Sequence, residues 1–281
     1  MPRDLDFIYV GAPKAGSTWL FEALRSHRDT FILPSKSSGF FETEEAQPLG
    51  SYRALLDKAP AGAKVGEIAH DAYVYSPTAS RLRAAFPDVR VLACLREPGD
   101  FAESTLKWWS THTRRFGSGV EDMTRHPHFR RLMDYQACLE PFFAEFPKDQ
   151  IRVLFFDDLL IDPRQFHSDV CQFIGLDPAI ERPSLTGVVN GSHPARMPAL
   201  TRSAYALGGV GRRLGLGKIV ELAKQAPVLN SLLYSGAPAP ANPAIFEASR
   251  RERALARETF ASLEQLIGRN VPVAWREAPA R

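Results

Sequence analysis

Short apolar runs alternate with longer amphipathic stretches through most of this chain. Phe7 to Val10, Thr30 to Leu33, Ala63 to Ile68, Val89 to Leu95 and Ile151 to Phe156 are compact, rich in strand formers and closed by Gly, Pro or charged residues, as buried strands are. Helical patterns fall between them: from Ser17, over Ser51 to Lys58, over Ser76 to Phe86, through Ser104 and Trp109, over Met133 to Phe146, and from Asp162-Pro163 through Phe173 with Gly175 as the stop. Strand and helix in strict alternation predict an α/β protein with a mainly parallel central sheet flanked by helices. The near-continuous apolar character of Val89 to Leu95 suits a strand covered on both faces.

The pattern loosens in three places. Thr111 to Arg131 is basic and reads as irregular; Arg196 to Gln225 carries many basic residues against the single acid Glu221, with glycines at 208, 209, 211, 215 and 217. A Pro/Ala linker from Ala237 to Ala244 then precedes a helix expected over 246–267, with Phe260, Leu263 and Ile267 on one face. No internal repeat is visible. The 281 residues are therefore expected to form one domain, with a mobile basic segment near 196–225 and a C-terminal helix.

Composition narrows the class. With 44% hydrophobic and 24% charged residues the chain is globular, and a net charge of +3 gives no argument for nucleic acid. Cys94, Cys138 and Cys171 are few, odd in number and widely spaced, unlike a disulfide framework or a zinc site. The N-terminus has no apolar signal region, and no run reaches membrane-spanning length, so a cytoplasmic setting is the expectation.

The chemistry concentrates at the start. Phe7 to Val10, the loop Gly11-Ala12-Pro13-Lys14-Ala15-Gly16 and the helix opening at Ser17-Thr18-Trp19 form a strand–loop–helix unit. Backbone N–H groups and the helix end make such a unit an anion cradle, with phosphate as the expected guest. It is P-loop-like, but the nucleotide triphosphatase motif requires Lys directly after the second glycine. Ser17 stands there, and the lysine lies inside the loop at Lys14. Further on, the apolar run Val89 to Leu95 ends at Arg96, with Ser104 in the helix after it.

These two stretches resemble those of sulfotransferases that use 3′-phosphoadenosine 5′-phosphosulfate (PAPS). Ala12 to Trp19 is similar to their 5′-phosphosulfate loop, and Cys94-Leu95-Arg96-Glu97-Pro98 with Ser104 to their 3′-phosphate motif. Phe155 to Pro163 with Phe173-Ile174-Gly175-Leu176, and Leu266-Ile267-Gly268 with Trp275, resemble blocks that many members share. The resemblance implies sulfuryl transfer from PAPS to a hydroxyl of a small-molecule or carbohydrate acceptor, leaving 3′-phosphoadenosine 5′-phosphate (PAP), with no metal required. It implies Lys14, Ala15, Gly16, Ser17, Thr18 and Trp19 around the 5′-phosphosulfate, Arg96 and Ser104 at the 3′-phosphate, and Lys14 at the leaving oxygen. Asn190-Gly191-Ser192-His193 loosely matches a loop that relatives return to the 3′-phosphate.

The acceptor also needs a base. Heparan-sulfate-type relatives place a glutamate in a Lys-Glu-x-x-Phe-Phe segment; here it is Lys36-Ser37-Ser38-Gly39-Phe40-Phe41, with Ser37 in the glutamate's place. His70, just past a strand end, is the leading replacement because imidazole titrates near neutrality. Asp71 or Glu67 could orient it, and Glu42 and Glu67 stay open as bases. Trp108 and Trp109 are either stacking platforms or core, and His126-Pro127-His128 has a metal-like spacing without a third ligand. The rival reading is a P-loop kinase or other nucleotide-binding protein, with Asp157-Asp158 as a magnesium-binding pair; a polyanion-binding role for the basic 196–225 segment is a further alternative.

Overall fold

The computed structural model describes residues 3–178 and 242–277. Five strands, β1 (Phe7–Gly11), β2 (Thr30–Ile32), β3 (Lys64–Ile68), β4 (Arg90–Leu95) and β5 (Ile151–Phe155), form a single sheet in the order β2-β3-β1-β4-β5. Every neighbouring pair is parallel. All carboxyl ends therefore lie along one edge, and β1, first in sequence, sits at the centre where strand order reverses, which is where open α/β sheets bind ligands.

The strands are apolar because both faces are covered. Phe7, Ile8, Tyr9 and Val10 have no exposed surface, and Val91 to Leu95 are buried with them. Helices α1 (Ser17–Arg25), α2 (Leu49–Leu56), α3 (Thr78–Ala85), α4 (Pro98–His112), α7 (Tyr135–Glu145) and α9 (Pro163–Ile174) accompany the strands. Gly66 of β3 faces the Phe7 ring so closely that a Cβ there would overlap it.

Several boundaries differ from the sequence reading. Thr111 to Arg131 is not irregular throughout: α5 (Val120–Arg125) lies within it and α6 (Pro127–Met133) begins there, each carrying buried residues such as Met123 and Phe129. The helix expected from Met133 begins instead at Tyr135, because Asp134 leaves helical geometry and caps the Ala137 N–H. Strand β5 stops at Phe155; Phe156 opens α8 (Phe156–Ile161), with Asp157 and Asp158 in its first turn. The C-terminal helix expected over 246–267 is two helices, α10 (Pro243–Arg257) and α11 (Phe260–Ile267), followed by α12 (Val273–Glu277). Asn242 caps α10 through Ala244 N–H and Pro243 takes the first turn, so the end of the expected linker is already helical. Thr259 separates α10 from α11, and Phe260 turns inward against Trp275. The basic 196–225 segment and Asn190 to His193 lie outside the described residues.

Replacing Gly66 with alanine should destabilise the protein by roughly 1–3 kcal/mol, since the Phe7 ring beside it has no open side to move into. Urea unfolding measures this, and an unchanged midpoint would contradict the packing described.

Candidate active site

Four loops at the carboxyl edge of the sheet build the site. The first follows β1. Tyr9 places its hydroxyl under the loop and donates to Ala12 O at 2.7 Å, while Ala12 N–H reaches across to Cys94 O at 2.9 Å. Gly16, at φ 87°, is the left-handed cap of α1, and a Cβ there would sit 2.8 Å from Leu159 Cδ2. The first intrahelical bond runs from Leu20 N–H to Gly16 O. The N–H groups of Ser17, Thr18 and Trp19 precede it and face the loop without a helical acceptor. Lys14 itself is left-handed, at φ 59°, a conformation that costs energy for a side chain with a Cβ and tends to occur at functional sites.

Lys14 is largely withdrawn from water, and burial, then the charge of Arg96, pull its pKa down to about 8. Its Nζ lies 6.0 Å from the centroid of Trp108, whose indole stacks on His112 at 4.9 Å and 9°. Trp108 is thus a half-buried plate beside the lysine, whereas Trp109 is core, stacked on Phe116 at 3.8 Å. The Trp19 ring is also core, edge-on to Phe166 and His167, so it can serve an anion only through its backbone.

The second loop follows β4 and carries Arg96. Its Nη1 donates to Lys14 O at 3.1 Å, its guanidinium lies 4.9 Å from the Phe156 ring, and its Nε is buried without a hydrogen-bond partner among the described residues. Tyr135 donates to Arg96 O at 2.8 Å and fixes the turn. Ser104 is half-buried on α4, and the neighbouring Thr105 Oγ1 is another buried group without a partner among the described residues.

The loop after β2 brings in Lys36, which the sequence reading quoted within the Lys36-to-Phe41 segment but gave no role. Lys36 Nζ donates to Thr18 Oγ1 at 2.6 Å, adding a second lysine to the cradle. Its place just beyond a strand end and its match to the lysine of the Lys-Glu-x-x-Phe-Phe segment were the signals for it. Ser37 N–H bonds to Ile68 O at 2.9 Å and lines this loop along β3.

The fourth loop follows β3. His70 Nδ1 is 2.6 Å from Ser37 Oγ and 4.0 Å from Glu42 Oε1. Glu42 accepts from Asp71 N–H at 3.2 Å, and Asp71 pairs with His128 Nε2 of α6 at 3.2 Å. Burial pushes Glu42 up to about 8, against the hydrogen bond from Ser37 and with the charges of Asp71 and Glu67. Burial would also raise Asp71, but the hydrogen bond and charge of His128, with the charges of His70 and Arg115, hold it below the usual carboxylate range. Glu67 turns into the protein: it is fully buried, Tyr52 donates to it at 2.6 Å and Ser38 N–H at 2.8 Å, so it braces the third loop. His126 caps α6 through His128 N–H, and no metal-holding cluster occurs among the described residues. Asp157 accepts from Trp275 Nε1 at 3.0 Å and Asp158 pairs with Arg269 at 2.8 Å, so the acidic pair is engaged in holding the C-terminal helices.

A model described as "Sulfotransferase family" matches residues 48–180, a span that includes Arg96, Ser104 and the loop after β3. A sulfotransferase from Alicyclobacillus acidocaldarius superposes over 99% of this chain and 100% of its own, with a TM-score of 0.66 at 23% identity. Residues 48–180 thus match that family's model, and the chain as a whole has the fold of that sulfotransferase. Further sulfotransferase-fold structures align less closely. The sulfotransferase domain of the Synechococcus PCC 7002 olefin synthase covers 71% of this chain and 86% of its own at 15% identity and a TM-score of 0.44. Mouse sulfotransferase SULT7A1, complexed with PAP, covers 94% and 86% at 12% identity and 0.42. No curated protein matches the sequence at a significant level. Among the described residues of this sulfotransferase fold no helix is long and apolar enough to cross a membrane.

The depressed Lys14 can be read directly. In protein whose lysines carry ¹³C-methyl groups, one resonance should titrate near pH 8, far below the ordinary lysine range of about 10.4. It should move upward in Arg96→Gln, because a neighbouring cation has been removed. A Lys14 midpoint in the ordinary range would contradict the burial described.

Proposed function

We propose that this chain transfers a sulfuryl group from PAPS to a hydroxyl of a small-molecule or carbohydrate acceptor by in-line displacement. The observation that carries this reading is the juxtaposition of Lys14 and Arg96. Two cations from adjacent central strands are tied together through Lys14 O, and the buried Arg96 Nε has no partner among the described residues. Buried cations so arranged suit a ligand with anionic groups at separate points. PAPS supplies a transferable sulfuryl group and a phosphate as leaving group.

The residues fit such a donor. The N–H groups of Ser17, Thr18 and Trp19, with the Thr18 hydroxyl and Lys36, would hold the 5′-phosphosulfate. Arg96 and Ser104 would hold the 3′-phosphate. Lys14 would place its ammonium at the bridging oxygen, where negative charge develops as the bond breaks, so a metal is not needed for that task. For the acceptor, His70 is the base. Its Nδ1 is held 2.6 Å from Ser37 Oγ, which fixes the ring beside Glu42. Glu42, held up to about 8, keeps its proton at neutral pH and serves as a neutral hydrogen-bonding partner, not as the base. The three free, buried thiols suit a reducing, cytoplasmic setting.

The kinase alternative needs Asp157 and Asp158 for magnesium, and both carboxylates are already taken by Trp275 and Arg269.

Lys14→Ala should abolish turnover with labelled PAPS while leaving PAP binding weakened but measurable; unchanged turnover would sink the mechanism. The pH–rate profile separates the bases. Activity should rise as His70 becomes neutral and fall as Lys14 loses its proton near pH 8. His70→Ala should lose the acid limb. Glu42→Gln should keep both limbs, and loss of its acid limb would transfer the base role to Glu42.

A further inference from the structure

The N-terminus of α4 carries a charge that works against its expected guest. Glu97 caps the helix by accepting Asp100 N–H at 2.8 Å, and its carboxylate is almost wholly buried directly beside Arg96 in sequence. Asp100 and Glu103 follow on the next turns. An anionic ligand drawn to a helix N-terminus is repelled by carboxylates already there. Glu103 is paired with Lys107 on its own helix. Glu97 is answered from the far end of the chain: Arg253 of α10 donates to it twice, through Nε and Nη2 at 2.9 Å each, and reaches Asp100 Oδ1 at 3.1 Å.

The approach is built for this contact. A Cβ on Gly99 would lie 2.8 Å from the Arg253 guanidinium carbon, so glycine at that place lets the fork lie against the helix. The residue before Arg253 anchors the helix in the opposite sense. Glu252, 1% exposed, accepts two bonds from Arg130 of α6 at 2.8 Å each. Adjacent residues of α10 thus form forked pairs with α6 and with the α4 cap. Arg96 and Arg253 both act on Asp100, and Glu97 and Arg96 both act on Tyr135, so the four charges share one neighbourhood.

We propose that Arg253 is a positioning residue of the donor site, neutralising Glu97 so that Arg96 and the α4 N-terminus present uncompensated positive charge to the terminal phosphate of PAPS. This rests on the donor reading above. With Arg253 absent, Glu97 would be a buried carboxylate free to draw the Arg96 guanidinium to itself and to repel the phosphate. Arg253 touches neither phosphate nor reacting atoms.

The test is PAP affinity by calorimetry on the full chain, with thermal melting as a check on folding. Arg253→Met should weaken PAP about tenfold or more, as expected for an unopposed charge near the ligand. Arg253→Met combined with Glu97→Gln, which removes the charge but keeps an oxygen to cap α4, should return affinity to within about threefold of the parent. Arg253→Lys, which keeps the charge and loses the fork, should stay within about threefold as well. Parent-like binding by the methionine variant would overturn the proposal, and so would a double variant as weak as the single one. If the methionine variant does not fold, the lysine variant decides: a tenfold loss there would assign the role to shape. A parent protein that does not bind PAP would overturn the donor reading itself, a result distinct from any of these.

Discussion

Two cations held side by side, partly out of water, are the constraint on which this structure turns. Lys14 and Arg96 destabilise one another, and desolvation penalises the charge of Lys14 further. Nothing in ordinary folding favours such an arrangement. It is maintained because the backbone fixes both ends: Tyr9 and Cys94 hold the loop after β1, and Tyr135 holds the turn after β4. The energy stored is modest beside the burial of the sheet, where whole strands lie without exposed surface. A bound anion returns that energy as affinity, so a site with unsatisfied positive charge is preorganised for one.

The opposite wall of the site follows the reverse logic. Glu42, Asp71 and Glu67 converge near His70, and the protein treats each differently. Glu67 is buried with two donors and becomes a brace. Asp71 remains ionised through His128. Glu42, with burial dominant, is held neutral up to about pH 8. Three carboxylates in one neighbourhood cannot all carry charge cheaply, and separating their ionisation leaves one imidazole between an anion and a neutral acid. That division of roles depends on burial and on partners far away in sequence.

This is why the strand–loop–helix cradle was legible in the sequence and the surroundings of His70 were not. The cradle is local: strand, glycines, lysine and helix start follow one another from Phe7 to Trp19, and local order fixes their geometry. Arg96 ends an apolar run and announces itself as a strand-end residue. The parallel sheet was readable from the alternation of elements, and the order β2-β3-β1-β4-β5 adds what alternation cannot supply, namely which ends are neighbours. Lys36 reaches Thr18 only because β2 and its loop return to the cradle's side, and no spacing rule encodes that. The helix break at Thr259 was missed because hydrophobic periodicity runs across it, and an inward turn of Phe260 overrules that periodicity.

The place of the lysine separates the two chemistries that a strand–loop–helix cradle can serve. After the second glycine, a lysine starts the helix and points along the phosphate chain of a triphosphate, with a magnesium ion sharing the charge. At Lys14 it sits in the loop's left-handed residue, ahead of the helix, buried next to Arg96 and a half-buried indole. A lone ammonium in that position can neutralise one developing charge at one atom. It does so most effectively when its own pKa is low, because a weakly held proton is shared more fully with the oxygen that needs it. Sulfuryl transfer from a phosphosulfate develops its leaving charge at a single bridging oxygen. The seclusion that costs Lys14 its normal basicity therefore suits it to the role proposed for it in that reaction.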